Sequence, residues 1–306
     1  MNDLRGYIMI LAASLFWGLS ATAAKILLNR DLDTILLVQT RVTFSFLLLV
    51  TWQILFRRNV LRVAVRDLWR FALLGIVGIA GSNFTFYFTI RESTVATAIL
   101  LQYTAPLLVM AYGTLAGEES VTPVKLIAAT VSLAGCVLAV GAYDAAVLHI
   151  TPLGLFTGIA SAFVFAFMVI YPRHVMRRYS LWTLTTYALG FAALFWMAVN
   201  PPWRIAAASP DGTTWLTLLA LSVCSVLIPH SLYFAGLRHV MPSRAIITST
   251  FEPVVAIVSA ALVVQELLTP VQVCGAVLVL SAVALLQIYG ERSREVSMAA
   301  TRMEEG

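Results

Sequence analysis

Ten long apolar stretches, joined by connections too short to fold on their own, constrain this chain more than any other feature of it. They fall at about residues 7–28, 34–56, 69–90, 94–115, 123–143, 152–172, 181–199, 214–236, 243–264 and 270–289. A helix needs about 20 apolar residues to cross the hydrocarbon core of a bilayer, and lipid admits only elements whose backbone hydrogen bonds are closed internally. Each stretch fits one crossing. Together they take up most of the 306 residues, of which 60% are apolar and 11% charged, whereas soluble domains carry about 25% charged residues. The expected fold is an all-α polytopic membrane protein embedded in a lipid bilayer, and a soluble enzyme domain of any size is excluded. Cys136, Cys224 and Cys274 lie within apolar runs and show no CxxC spacing, so neither a disulfide framework nor a metal site is indicated.

The first stretch imitates a secretory signal, with Arg5, an apolar core and Ala21-Thr22-Ala23 as a mock cleavage site. Its run is longer than a signal core, and its loss would spoil the repeat described below. Lys and Arg near span ends favour the cytoplasm. One set of alternate connections holds fifteen of them: Arg5, the group Arg57, Arg58, Arg62, Arg66 and Arg70, then Lys125, Arg173, Arg177, Arg178, Arg238, Arg244, Arg292, Arg294 and Arg302. The other set holds only Lys25, Arg30, Arg91 and Arg204. Both termini are therefore expected in the cytoplasm. The formal charge of +5 reads as an orientation signal, not as a nucleic-acid surface.

Sliding the chain on itself by 147 residues superposes its halves. Arg91 meets Arg238, Ala98-Ile99 meets Ala245-Ile246, Pro106 meets Pro253, and Glu119-x-x-Thr122-Pro123 meets Glu266-x-x-Thr269-Pro270. The expected units are residues 1–146 and 147–290, each with five spans, followed by a cytoplasmic tail at 291–306. Five is odd, so the second unit must enter the membrane from the opposite face. The repeat is expected to be inverted, an architecture that lets two similar halves expose a central cavity to either side in turn.

Polar side chains within the spans are few. A charged one at mid-helix costs on the order of 3 kcal/mol by insertion scales. Asn83 and His230 are equivalent under the shift, with Tyr87 and Tyr233 one turn further along the respective helices. Gln102 and Tyr103 correspond to Ser249 and Thr250. Pro106 and Pro253 are expected to kink their helices and free the carbonyls of Gln102 and Ser249. Those carbonyls could hold an ammonium group, or the neighbouring Ser, Thr and Gln side chains could re-satisfy the broken backbone. Trp17 supplies a further ring near this set. The expected substrate-binding residues are Trp17, Asn83, Tyr87, Gln102, Tyr103, His230, Tyr233 and Ser249. Glu252 and His230 are the candidates for proton coupling. Arg41, Pro106, Glu119, Pro253 and Glu266 are expected to be structural, Arg41 by snorkelling or pairing. Gly75, Gly78 and Gly81 form a stripe that suits close helix approach.

Several chemistries have no motif here. There is no GxxxxGK[ST] for ATP, no HExxH, no GxSxG and no Asp-rich cluster, so no cofactor is implied and the chain is not expected to be an enzyme. Few basic residues lie deep in the spans, which argues against strongly anionic substrates and for a small zwitterion or organic cation.

Pro106…Glu119-Ser-Val-Thr122-Pro123…Gly135, its counterpart Glu252-Pro253…Glu266-Leu-Leu-Thr269-Pro270…Gly275, and Thr40-Arg41-Val42 together resemble the EamA-type ten-helix exporters of the drug/metabolite transporter superfamily. The resemblance spans about residues 6–290, and within that family the chain looks most like the bacterial aromatic amino-acid exporters. It implies ten helices, cytoplasmic termini, a bacterial inner-membrane location and export of amino acids or other small metabolites by alternating access. The alternatives are efflux of aromatic organic cations, a channel, and a membrane-embedded enzyme acting on lipid, for which Glu118-Glu119 is the adjacent carboxylate pair between spans.

Overall fold

The computed structural model describes residues 2–28, 33–144, 150–201, 203–205, 211–263 and 268–304; Arg30 and Glu266 lie outside them. Ten principal helices follow one another, and among the described residues there is no strand. They are α1 (Asn2–Leu28), α2 (Thr34–Phe56), α3 (Val65–Glu92), α4 (Val95–Leu115), α5 (Pro123–Ala139), α6 (Pro152–Met176), α7 (Leu181–Val199), α8 (Gly212–Gly236), α9 (Pro242–Val263) and α10 (Pro270–Glu304). Among the described residues nine are long and apolar enough to cross a membrane, and α5 is a shorter apolar helix. Large apolar side chains such as Leu55, Phe56, Phe156, Phe163 and Leu262 stand on the outside, a surface suited to lipid. The protein is a multi-pass membrane protein.

Local chemistry sets most helix starts. Asp33 caps α2, Thr94 α4, Thr151 α6 and Ser180 α7, each side-chain oxygen accepting a backbone N–H of the first turn. The recurrent Thr-Pro element does the same in both halves. Thr122 Oγ1 accepts the Lys125 N–H at 3.3 Å and Thr269 Oγ1 the Gln272 N–H at 3.2 Å, with Pro123 and Pro270 as first helical residues, where their missing N–H costs nothing. One boundary differs from expectation. Helix α5 stops at Ala139, not near 143, because Gly141 takes φ 76° and turns the chain out of the helix. The apolar part of α10, Pro270–Tyr289, matches the expected tenth span, and the helix itself continues to Glu304.

The packing is symmetric under exchange of the halves. Helix α1 lies against α8 and α9 as α6 lies against α3 and α4; α2 meets α8 as α7 meets α3; α5 pairs with α10 and α2 with α7. Hydrogen bonds fix the direction of the last pair. Gln39 Nε2 donates to the Asn200 carbonyl and Asn200 Nδ2 to Gln39 Oε1, both at 2.7 Å, and Gln53 Nε2 donates to Thr186 Oγ1 at 2.6 Å. Residues 39 and 186, and 53 and 200, are each 147 apart. The start of α2 therefore sits at the end of α7 and the reverse, so these equivalent helices run antiparallel. Glycines bring backbones together elsewhere: a Cβ on Gly75 would lie 2.3 Å from the Ala188 carbonyl of α7, and one on Gly135 2.8 Å from the Gly275 carbonyl of α10.

Candidate functional site

Helices α3 and α8 each widen into π-type turns, over Leu73–Gly81 and Val223–Leu227, equivalent places under the 147-residue shift. A widened turn breaks the regular i→i−4 ladder and often marks a functional segment. Asn83 and His230 stand just beyond it. Asn83 Nδ2 donates to the Ile79 carbonyl at 2.7 Å, and His230 Nδ1 lies 2.9 Å from that of Val226, again an equivalent pair. Both side chains thus bond a carbonyl of their own helix. With Nδ1 donating, the other ring nitrogen of His230 is left as an acceptor.

This equivalence has a testable consequence. Replacing His230 by alanine removes its buried bond to the Val226 carbonyl and the ring packing around it, and is expected to cost about 1–3 kcal/mol. His230→Asn, which repeats what Asn83 does, is expected to retain most of that stability. Thermal unfolding in detergent decides; equal losses in the two variants would refute the assignment.

Around His230 the rings close up. Trp17 on α1 meets His230 edge-on at 5.4 Å and 84°, and Tyr233 at the same centroid distance; Phe234 lies 6.0 Å from His230. Tyr233 and Phe234 are fully buried, and Trp17 is half-buried. Gly18 sets the position of Trp17, since a Cβ there would come within 2.8 Å of the Glu252 carbonyl. Helix α1 can therefore press against α9, and Thr22 Oγ1 pairs with Ser259 Oγ at 2.5 Å further along.

Helices α4 and α9 break where the prolines were expected to kink them. The interruption covers Tyr103-Thr104 in one and Thr250 in the other. Pro106 and Pro253 are buried just beyond. Ser249 Oγ donates to the Ile246 carbonyl at 2.8 Å and Thr250 Oγ1 to that of Ile247 at 2.6 Å, as Thr104 Oγ1 does to that of Leu101. The hydroxyl of Ser249 is thus engaged within its own turn. Gln102 instead reaches α3, with Nε2 3.5 Å from Ser82 Oγ. Tyr103 donates to Glu252 Oε2 at 3.2 Å across α4 and α9. Arg41 Nη2 donates to the Tyr87 hydroxyl at 3.1 Å.

The structure therefore brings Trp17, His230 and Tyr233 into one layer, and it sets Tyr103 with Glu252, Arg41 with Tyr87, and Gln102 with Ser82. The sequence reading missed Ser82, Phe234 and the Gln39–Asn200 and Gln53–Thr186 bonds. The last four residues were within reach, because the 147-residue shift aligns them. A hollow of about 360 Å³ beside Phe44, Leu48 and Trp52 opens on apolar surface and touches none of these groups.

At one end of the bundle, Glu119 accepts from Lys125 Nζ at 2.8 Å, from the Ser243 N–H at 3.3 Å and from the Ser243 hydroxyl. It thereby fastens the α4–α5 connection to the start of α9. Outside the spans, Tyr179 donates to Asp67 Oδ2 at 2.5 Å, and that bond to a carboxylate pushes the phenol pKa up. Among the described residues no group of three or more His, Cys, Asp or Glu is placed to hold a metal ion.

Ten mostly apolar helices with polar groups collected at helix breaks, where the two halves meet, define a polytopic carrier-like membrane protein. Comparison with known proteins is consistent with that class. The EamA-like transporter family model matches residues 4–141 and again 152–288, and the chain belongs to that family. It is similar to the uncharacterized inner membrane transporter YicL of Salmonella typhimurium, 26% identical over 295 residues that cover 94% of this chain and 97% of that one. An uncharacterized transporter of Archaeoglobus fulgidus is 27% identical over 271 residues, covering 87% and 92%. A crystal structure with 21% identity superposes with a TM-score of 0.76 over 95% of this chain and 98% of its own, which supports the fold.

Proposed function

We propose that this transporter exports amino acids, including aromatic and other apolar ones, across a bacterial inner membrane by alternating access between two inverted five-helix halves. The observation that carries the reading is the Trp17–His230–Tyr233 layer, built by α1 of one half against α8 of the other, next to the breaks of α4 and α9. Antiparallel α2 and α7 support inversion. The relative named as an inner membrane transporter supports the location, and the asymmetry of Lys and Arg supports cytoplasmic termini. Rings offer an apolar, stackable wall, and helix breaks offer backbone groups at depth, as in other carriers. His230 in this layer and Glu252 at the α9 break are the side chains that could exchange a proton with the solute.

A second reading, efflux of aromatic organic cations, is favoured by Glu252, whose carboxylate has the Tyr103 hydroxyl as its hydrogen-bond donor and no Lys, Arg or His nitrogen within 4 Å among the described residues.

The test is counterflow of labelled phenylalanine and leucine in proteoliposomes of pure protein. Saturable counterflow is expected, and Trp17→Ala should reduce it about tenfold, the loss of roughly 1.4 kcal/mol of ring contact, while the protein stays folded and inserted. Transport of aromatic cations unaffected by excess amino acid would favour the second reading. No exchange of any amino acid would defeat the first.

A further inference from the structure

Arg41 stands about 11 Å into α2 at 1.5 Å per residue, and residues 36–42 are buried without a break. That segment of α2 is enclosed by protein on all sides. The side chain cannot snorkel to a headgroup, one of the two roles the sequence suggested for it, and Arg41 as a whole is only 7% exposed. It also lacks a counter-ion. Among the described residues no Asp or Glu oxygen comes within 4 Å of its guanidinium. Its one hydrogen bond goes from Nη2 to the neutral Tyr87 hydroxyl, and Nε is enclosed with no partner at all.

Lys125 shows how this fold treats a buried cation with a structural task. It is 6% exposed and is held by Glu119 at 2.8 Å and by the Ser120 carbonyl at 3.0 Å. Buried charges are normally paired in that way. Arg41 keeps its charge unpaired on a helix that packs against α8, the carrier of His230 and Tyr233, while Tyr87, its hydrogen-bond partner, is half-buried and retains accessible surface.

We infer that Arg41, steadied by the Tyr87 hydroxyl, is a subsite for the carboxylate of the transported solute. The inference rests on the transport reading and narrows it. The planar guanidinium presents its donors as a fork that fits a carboxylate through two parallel hydrogen bonds, and the solute supplies the counter-charge that the protein withholds. The side chain of an aromatic or apolar solute then lies toward Trp17 and Tyr233. Solutes without a free carboxylate lose the interaction and leave the buried cation uncompensated. Arg41 is in this sense a specificity-determining residue.

The experiment measures ligand-induced thermal stabilisation of the purified protein in detergent, alongside counterflow in proteoliposomes. The probes are L-phenylalanine, 3-phenylpropionate, L-phenylalanine methyl ester and 2-phenylethylamine. The wild-type protein is expected to bind the two free carboxylates at least about tenfold more tightly than the ester and the amine, as befits a charge-assisted bidentate contact. In Arg41→Met, which keeps the length and apolar stem, that preference should fall to about onefold. Should Arg41→Met fail to fold, Arg41→Lys is read in the same panel: it retains the charge without the fork, so the preference should shrink about threefold without vanishing.

Equal binding of all four probes by the wild type would overturn the inference while leaving transport intact. A preference that survives in Arg41→Met, or that Arg41→Lys leaves unchanged, would overturn it as well. Neither stabilisation nor counterflow with any probe would overturn both the inference and the transport reading beneath it.

Discussion

Replacing Glu119 by alanine is expected to lower the stability of the folded protein by about 3–5 kcal/mol, the usual cost of leaving one partner of a buried ion pair behind. The side chains of Lys125 and Glu119 are 8% and 3% exposed, and their atoms meet at 2.8 Å. Alanine would strand the ammonium with the Ser120 carbonyl alone, and it would strip the N–H and hydroxyl of Ser243 at the start of α9 of their acceptor. The chain has to turn sharply to deliver this carboxylate. Gly117 takes φ 66°, and the amides of Glu118 and Glu119 both return to the Gly113 carbonyl at 2.9 Å. Removing the stranded charge should recover much of the loss. Glu119→Ala combined with Lys125→Met is expected to be more stable than Glu119→Ala alone, leaving about 1–2 kcal/mol for the orphaned start of α9. Unfolding of the three variants in detergent checks this. A double variant no better than the single one would show that the ion pair is not what Glu119 contributes.

The second large effect is expected at Gly275. Methyl substitution in a mid-helix glycine ordinarily gains about 1 kcal/mol in helix propensity. Here the new Cβ would stand 2.4 Å from the Ala139 amide nitrogen and 2.6 Å from the Gly135 carbonyl. Both are backbone atoms of a packed helix and cannot swing aside. Gly275→Ala is therefore expected to be destabilising by about 1–3 kcal/mol, as overpacking of tight interiors generally is, and Gly275→Leu to prevent α5 and α10 from seating. Helices in lipid gain little from burying apolar surface against one another, so close backbone approach through small residues is a main source of their adhesion. Gly212→Ala, where nothing lies within 4 Å of the added atom, serves as the control and should be neutral. The sign of the change at Gly275 decides, because propensity and packing predict opposite ones.

Much of this fold could be read from the chain because lipid makes the rules strict. The apolar runs gave α1 to α10 in order, Thr122-Pro123 and Thr269-Pro270 marked helix starts, and Pro106 and Pro253 located the breaks of α4 and α9. The short-range destinations of the polar side chains were hidden. Nothing in a sequence tells whether Asn83 and His230 turn toward a neighbouring helix or back to the carbonyl four residues earlier, and the widened turns that precede them carry no residue signature of their own. The choice between snorkelling and pairing at Arg41 stayed open for a related reason. Snorkelling depends on whether lipid lies within reach of the side chain, and only the packing of neighbours around residues 36–42 answers that.

The amide bonds between α2 and α7 carry a mechanical consequence. Gln39 with Asn200 and Gln53 with Thr186 rivet these two rods near both tips, so neither tip can splay without tearing a buried bond at its own rivet. Under the alternating access proposed above, any rocking has to leave this brace whole, with the remaining helices swinging about it as doors do about a shared post.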